Sequence, residues 1–284
     1  MDFKGFNIRA MTAADLPAAM DIKQQEGWNQ TTNDWRLLLE DAPGLCLVAL
    51  HQERVVATVA AIGYEQQLAW IGMMLVQKDY RGLGLAKMLM KGILDRLEGY
   101  PIIKLDATPA GFPVYKKMGF EPEYTIYRMV LGPKQMPTTT GIQATPIDKA
   151  FLSDIVDYDN YIYGVKRQNL LRYLYQQSPD TAMAAGSKEA MKGFVLGRPG
   201  TNYHQLGPLM AESTGIAKDL VSSALQRLDR PVVVDVLQDK TDFINWLLKQ
   251  GFTIQRELIR MYYKTNPTPG KLPNQFLISG PELG

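Results

Sequence analysis

The sequence predicts an α/β protein of two tandem domains, each with a central mixed β-sheet flanked by helices. Three observations carry this prediction. The chain has 284 residues, which exceeds the usual size of a single domain. Its second half repeats the order of segments found in its first half. Within each half, strand-like apolar runs alternate with amphipathic helical patterns, as in proteins whose helices cover a sheet.

The repeat becomes visible when the sequence is shifted against itself by about 136 residues. Chance produces one matching segment easily, but not four in the same order. Each copy also carries Arg-Met after a Gly-Phe pair, at Arg128-Met129 and at Arg260-Met261, with the methionine ten residues beyond the glycine. The matching segments are 34–43 with 170–179, 49–62 with 185–198, 101–106 with 231–236, and 116–120 with 248–252.

The repeat divides the chain into an N-terminal domain, residues 1–132, and a C-terminal domain, residues 141–264. Residues 133–140 are predicted to be a linker because Pro, Gly and Thr dominate this stretch and its flanks. Residues 265–284 form a proline-rich tail whose apolar "QFLIS" is expected to dock on the rest of the protein.

Each copy is predicted to contain two helices, a hairpin, a third strand, a helix, a fourth strand, a short helix and a last strand. The helix over 83–97 has apolar residues at a period of 3.6, which predicts one face packed on the sheet. The run "PIIKLDA" is β-branched, as strands are. In the first copy the segments are AADLPAAMDIKQ, TNDWRLLLED, LCLVALHQERVVATVAAIGY, AWIGMMLV, GLAKMLMKGILDRLEG, PIIKLDA, FPVYKKMG and TIYRMVL.

Composition excludes several classes of protein. The formal net charge is only +2, so no nucleic-acid partner is expected. No apolar run approaches 18 residues and the start lacks a basic flank before an apolar core, so neither a membrane span nor a signal peptide is predicted. The single cysteine, Cys46, fits a reducing cytoplasm. His51 and His204 are isolated histidines, so no metal site is expected.

A glycine-containing turn follows the third strand, in "LVQKDYRGLGLAKML" at residues 75–89. A strand that ends near Val76 and continues as a helix from Gly84 leaves backbone N–H groups pointing out of the turn, at the positive end of the helix dipole. Gly82 and Gly84 let the backbone approach phosphate oxygens, and Arg81 adds charge. The turn is therefore a candidate phosphate cradle. By this pattern alone, a merely flexible turn remains an alternative.

The pattern V-x-x-x-x-R-G-x-G-x-A over 76–86, together with "VYKKMGF" about 35 residues later, resembles the GNAT superfamily of N-acetyltransferases. "GWNQTTNDW", "LAWIGMMLV", "YIYGVKRQNLLRYL" and the "GPELG" end are similar to bacterial tandem-GNAT proteins. The resemblance implies acetyl-coenzyme A as co-substrate and no metal. It implies that the pantetheine arm pairs with Met74, Leu75 and Val76, and that the pyrophosphate lies on the turn, with Lys116 as a further contact. The implied turn contacts are Arg81, Gly82, Leu83, Gly84, Leu85 and Ala86.

Amide formation requires a neutral amine, although an alkylamine has a pKa near 10, and it requires an acid for the departing thiolate. Tyr115 occupies the tyrosine position of the second motif and is the candidate acid, unless it only packs on the sheet. Trp70 stands where some family members carry a glutamate base. Glu65 is the nearest replacement, although it would also serve as a solvated loop charge. Glu26 and Asp106 are weaker candidates, and proton removal through ordered water stays open.

The acceptor site is expected to include the connection after the first helix, "EGWNQT". Helix capping alone accounts for part of this segment, and core packing is the competing explanation for its aromatic residues. The candidate acceptor residues are Trp28, Asn29, Thr31, Tyr64 and Trp70.

The second copy departs from the motif, since "GPLMAESTGIAKDL" at 207–220 lacks Arg-Gly-x-Gly. Glu212 would repel phosphate, Gly215 alone remains near the turn, and Leu247 replaces the tyrosine. This copy is therefore expected not to bind coenzyme A, but to bury a flank of the first copy and wall the acceptor site. Lys166 and Arg167 of "YGVKR" either reach that site or are surface charges.

The resemblance and these residues together predict an N-acetyltransferase that moves an acetyl group to a primary amine of a small molecule, by direct attack in a ternary complex. Two alternatives remain open. One is transfer of another acyl or aminoacyl group, and the other is a non-catalytic acyl-coenzyme A sensor. The expected partners are acetyl-coenzyme A and the amine, in a monomer or homodimer.

Overall fold

A computed structural model describes residues 2–3, 5–132, 144–187, 190–266 and 270–284. Within this part of the chain, fourteen strands form one mixed sheet with helices on both faces, which confirms the predicted fold class. The predicted linker, 133–140, lies outside the described residues.

The first half of the chain contributes seven strands and four helices. Helix α2 begins at a capping box in which Thr31 and Asp34 satisfy each other's backbone N–H groups. The elements are β1 (Asp2–Phe3), β2 (Phe6–Ala10), α1 (Leu16–Gln25), α2 (Thr32–Asp41), β3 (Cys46–His51), β4 (Arg54–Tyr64), β5 (Leu68–Val76), α3 (Leu85–Arg96), β6 (Ile102–Ala107), α4 (Phe112–Lys117) and β7 (Phe120–Leu131).

The second half repeats this order and adds one strand from the tail. Its elements are β8 (Thr145–Pro146), α5 (Leu152–Tyr163), α6 (Gln168–Gln177), β9 (Met183–Gly186), β10 (Met191–Pro199), β11 (His204–Ala211), α7 (Thr214–Leu225), β12 (Val232–Leu237), α8 (Thr241–Lys249), β13 (Thr253–Tyr263) and β14 (Gln275–Leu277).

The two halves exchange their last strands. Strand β13 lies between β6 and β7, and β7 in turn pairs with β12, so the sheet runs without a break through both halves. Two buried ion pairs cross the exchange: Asp106 of β6 binds Arg260 of β13, and Asp235 of β12 binds Arg128 of β7. Each of the two repeated arginines, Arg128 and Arg260, therefore binds an aspartate of the opposite half.

Hydrophobic packing joins the halves on one face of the sheet. Apolar residues of α1, α2, α5 and α6 belong to one continuous core cluster, which includes Trp35, Ile155 and Leu170. On the other face, α3 with α4 and α7 with α8 pack on separate clusters, one for each half. The shared cluster holds the connection between α1 and α2 against the second half.

The tail is buried and touches both halves. Strand β14 inserts between β11 and β12, and residues 278–284 then run to β5 of the first half. The tail crosses β11 and β5 so closely that each strand has a glycine at the contact. A Cβ on Gly207 of β11 would overlap the carbonyl oxygen of Ile278, and a Cβ on Gly72 of β5 would lie 2.7 Å from Glu282 Cα. The tail thus links the central strands of the two copies.

Candidate active site

A gap in the sheet opens where β5 separates from β6. The parallel pairing of these strands ends at Ile71 with Leu105, whereas β5 continues to Val76. The register of β5 against β4 shifts here, and Met73 takes a positive φ of 52° while its carbonyl accepts a hydrogen bond from Thr58 Oγ1 at 2.8 Å. This bulge turns the end of β5 away from β6 and leaves its backbone along a cleft.

The glycine turn lies beyond the end of this cleft. Gly82 and Gly84 have φ of 77° and 86°, a region that L side chains rarely adopt, and α3 begins directly after them. No side chain caps α3, and the N–H groups of Leu85, Ala86 and Lys87 have no partner within the helix. Leu83 is 53% exposed. The turn therefore presents free N–H groups to solvent, as an anion site requires.

Arg81 is held by other groups of the protein. Its guanidinium pairs with Glu26, with 2.5 Å between Nη2 and Oε1, and its Nε donates to the Val76 carbonyl at 3.2 Å. The side chain therefore ties the turn to the end of α1. Its Nη1 makes no hydrogen bond within the described residues and the side chain is half exposed, so the guanidinium keeps donors for an anion beside the turn.

Tyr115 lines the cleft together with Thr108, Met73 and Met74, at the side nearer α4. Burial raises its pKa to about 12, so the hydroxyl stays protonated at neutral pH. The pKa of a thiol lies below this value, near 8.5 for cysteine, so complete proton transfer from Tyr115 to a thiolate is unfavourable. The geometry suits a hydrogen bond to a departing sulfur better than complete transfer.

The tail supplies the opposite wall of the cleft through Pro281 and Glu282. The Glu282 carboxylate is buried, contacts Arg198 and accepts from Gln30 Nε2 at 2.8 Å. Arg198 also binds Asp34 at 2.9 Å. Burial raises the pKa of Glu282, and the Arg198 guanidinium opposes that rise. Sequence reasoning assigned no role to Glu282, although it noted the "GPELG" end that contains it.

Glu65 lies away from the cleft. It occupies the turn between β4 and β5 with a positive φ of 50°, beside a separate surface depression that Lys166 and Arg167 also line. A strand rises about 3.3 Å per residue, so this end of β5 is roughly 16 Å from Met73. The structure does not bring Glu65 to Tyr115, which removes the support for its role as the base.

Two of the predicted acceptor aromatics are core residues under the tail. Tyr64 is 3% exposed and donates to the Leu283 carbonyl at 2.5 Å, and Trp70 is 1% exposed and donates to the Pro281 carbonyl at 2.9 Å. Neither lines the cleft beside Met73. Both aromatics are therefore core residues, as the competing explanation predicts. Their polar atoms hold the tail in place through hydrogen bonds to its carbonyl groups.

The connection between α1 and α2 does reach the cleft. Trp28 lines it, whereas Thr31 caps α2. The side-chain Oδ1 of Asn29 accepts from the backbone N–H groups of Asn202 and Tyr203 at 3.0 and 2.9 Å, so its side-chain amide joins the two halves. Asn29 nevertheless borders a second cavity, which adjoins the cleft.

Lys116 and Arg167 lie outside the cleft lining. Lys116 is exposed on α4, with its ammonium 6.0 Å from the centroid of the Phe112 ring. Arg167 is completely buried, pairs with Asp159 at 2.7 Å and donates to the Gly284 carbonyl at 3.0 Å. Arg167 is therefore neither a surface charge nor an acceptor contact, but a support for the tail.

The second half has an equivalent gap in its sheet, and strand β14 of the tail occupies it. Strands β11 and β12 pair in parallel only over His204–Leu206, and β14 lies between them beyond that point. The connection to α7 is only Glu212 and Ser213, and the Ser213 hydroxyl caps the helix. These features support the expectation that this half does not bind coenzyme A.

Among the described residues, no group of three or more His, Cys, Asp or Glu side chains is arranged to hold a metal ion. In the same part of the chain, no helix is both long and apolar enough to cross a membrane.

Comparisons with known proteins agree with this architecture. A family profile described as "Acetyltransferase (GNAT) family" matches residues 9–120, and one described as "Acetyltransferase (GNAT) domain" matches residues 155–277. The chain is 28% identical over 263 residues to holothin acyltransferase of Pseudoalteromonas sp. (strain SANK 73390), which covers 91% of this chain and 88% of that protein.

Two solved structures share the fold over most of their length. A putative acetyltransferase from Pyrococcus horikoshii has a TM-score of 0.84 at 21% identity, covering 100% of this chain and 98% of its own. A tandem GNAT protein from the clavulanic acid biosynthesis pathway has a TM-score of 0.61 at 14% identity, covering 92% and 99%. With its two matching halves, this chain belongs to the GNAT acetyltransferases and is an acyltransferase built from two GNAT domains in tandem.

Proposed function

We propose that this protein transfers an acetyl group from acetyl-coenzyme A to a primary amine of a small molecule, by direct attack in a ternary complex. One observation carries the proposal. Both halves split their sheet at the same place, but β14 fills the gap of the second half, while Tyr115 lines the gap of the first half and β5 leads from it to the glycine turn. A ligand that adds like a strand fits the first gap.

In this proposal the pantetheine arm pairs with the backbone of Met74 to Val76, as β14 pairs in the second half. The pyrophosphate lies on the N–H groups from Leu83 to Ala86. A backbone N–H at the Met73 bulge polarises the thioester carbonyl. These groups are fixed by the fold before the co-substrate arrives, so their electrostatic contribution needs little reorganisation during the reaction.

The amine nitrogen forms a bond to the carbonyl carbon, and the carbon–sulfur bond then breaks to release thiolate. Tyr115 donates a hydrogen bond to that sulfur. Both carboxylates that line the cleft, Asp106 and Glu282, are bound to arginines. The proton of the amine therefore leaves through ordered water to solvent, and the departing thiolate takes a proton from the same water, so that the proton count balances.

The first test is acetyl-coenzyme A-dependent thiol release across a panel of small amines. We expect amine-dependent release and matching N-acetyl products by mass spectrometry. Tyr115→Phe should lower kcat by about 10–100-fold with little change in the KM for acetyl-coenzyme A, because only the hydrogen bond to the departing sulfur is lost. Binding of acetyl-coenzyme A without release for any amine would instead favour a sensor.

A second test addresses the turn itself. Leu83→Glu should weaken acetyl-coenzyme A binding by about tenfold through repulsion of the pyrophosphate, and the loss should shrink at high salt. Leu83→Gln has nearly the same size without the charge and should bind like wild type. Because Leu83 is exposed, neither change should move the Tm. Titration calorimetry measures the binding, and equal affinity of the two variants would contradict a pyrophosphate at this turn.

A further inference from the structure

Arg256 lies at the acceptor side of the cleft and forms no ion pair with any residue that the structure describes. Its side chain borders both the cleft beside Met73 and the adjoining cavity that Asn29, Asn202 and Tyr203 line. Its Nε is buried and has no hydrogen-bond partner, and no carboxylate in the described part of the chain forms an ion pair with it. The side chain is partly buried, and Asp235 and Glu282 act on its charge only electrostatically, without a hydrogen bond to it. A partly desolvated cation in this state gains from an anion that binds it directly.

The other charged side chains that are buried around the cleft have a net charge of zero. Asp235 holds Arg128 through two hydrogen bonds of 2.7 Å. Asp34 and Glu282 share Arg198, and the buried Lys23 also interacts electrostatically with Asp34. These groups sum to zero charge. Arg256 therefore leaves one positive charge in excess where the cleft meets the second cavity.

The symmetry of the fold shows that a cation is not required at this place. In the pairing of β7 with β13, Arg128 lies opposite Arg256 and Arg260 lies opposite Tyr124. Arg128 and Arg260 are the repeated arginines, so Arg256 and Tyr124 occupy equivalent positions. Tyr124 accepts a hydrogen bond from Arg260 at 2.5 Å, whereas Arg256 sets a second cation beside Arg128. Like charges in this arrangement destabilise a sheet.

We propose that Arg256 binds an anionic group of the acceptor, so that the acceptor is an amine that also carries a carboxylate. This inference rests on the proposed function and names its substrate class. The excess of one positive charge matches a carboxylate better than a phosphate dianion, and a guanidinium offers two parallel donors to a carboxylate. The amine is then directed towards the thioester in the cleft, while the carboxylate stays at the mouth of the second cavity.

The test compares amino acids with the amines that their decarboxylation yields, as matched pairs of acceptors. We expect wild type to favour the amino acid of the best pair by about 10–100-fold in kcat/KM, which is the range for a hydrogen bond to a charged group. Arg256→Tyr copies the equivalent Tyr124 and should abolish this preference while leaving the KM for acetyl-coenzyme A unchanged.

Two further readouts separate recognition from folding. Removal of an unpaired cation should leave the Tm unchanged or raise it, whereas loss of a structural contact would lower it. Arg256→Lys should retain part of the preference because it keeps the charge without the fork of donors. If the decarboxylated amines are acetylated at least as fast as the matching amino acids, this inference is overturned and the proposed function stays intact. Acetylation of no amine would overturn both.

Discussion

Gly72→Ala is expected to reduce kcat/KM by at least about 100-fold and to lower the free energy of unfolding by about 1–3 kcal/mol. The backbone of Gly72 is in an ordinary strand conformation, so alanine adds no conformational strain there. Its new Cβ would lie 2.7 Å from Glu282 Cα, a main-chain atom that cannot rotate away. The tail must shift, and Pro281 and Glu282 then leave the wall of the cleft.

Gly63→Ala on neighbouring β4 is the matched control. Its Cβ would overlap the hydroxyl end of Tyr100, a side chain that can rotate away, so we expect a much smaller loss of stability and activity. Acetyl transfer and thermal unfolding of both variants provide the measurement. Wild-type activity in Gly72→Ala would show that the position of residues 281–284 is irrelevant to the reaction.

The elements of the fold were largely predictable because they depend on local signals. The apolar period of α3, the β-branched β6 and the capping residues of α2 each fix their own segment with little help from the rest of the chain. The glycine turn was predictable for the same reason, since Gly82 and Gly84 are needed by the backbone conformation at their own positions.

The strand exchange was not predictable in this way. Strands β7 and β13 derive from the same repeat and carry the same Arg-Met pair two residues before their ends, so their local pattern fits either neighbour equally well. Only the assembled sheet shows that Asp106 takes Arg260 rather than Arg128. A sequence repeat predicts equivalent strands in both halves, but it does not predict which strand of one half pairs with which strand of the other.

The wall of the cleft that the tail forms was not predictable from the sequence for a related reason. Glu282 lies more than 200 residues from Gly72 along the sequence, and contacts at such separation leave no periodic signal. Glu65 is close to β5 in sequence, but it lies at the end of that strand opposite to the cleft, beside a separate surface depression. Trp70 and Tyr64 were assigned to the acceptor although they hold the tail.

Asp106→Asn is expected to lower the free energy of unfolding by about 3–5 kcal/mol. The Arg260 and Asp106 side chains are 3% and 0% exposed and share two hydrogen bonds of 2.9 and 3.0 Å. Asparagine removes the negative charge and leaves a buried guanidinium without its counter-ion. Asp235→Asn should cost a similar amount through Arg128, because the two crossed pairs are equivalent by the repeat. Denaturant unfolding measures both losses.

A double variant separates the charge from the packing. Asp106→Leu with Arg260→Met removes both charges and keeps much of the volume, so it should be more stable than Asp106→Asn alone. Asp239→Asn is the surface control: its partner is Lys240, its side chain is 58% exposed, and its change should stay within about 0.5 kcal/mol. An Asp106→Asn protein as stable as this control would mean that the crossed pairs do not hold the exchanged strands together. If instead the double variant recovers stability, packing rather than charge holds the exchanged strands, because an unexchanged sheet would form equivalent pairs, Asp106 with Arg128 and Asp235 with Arg260.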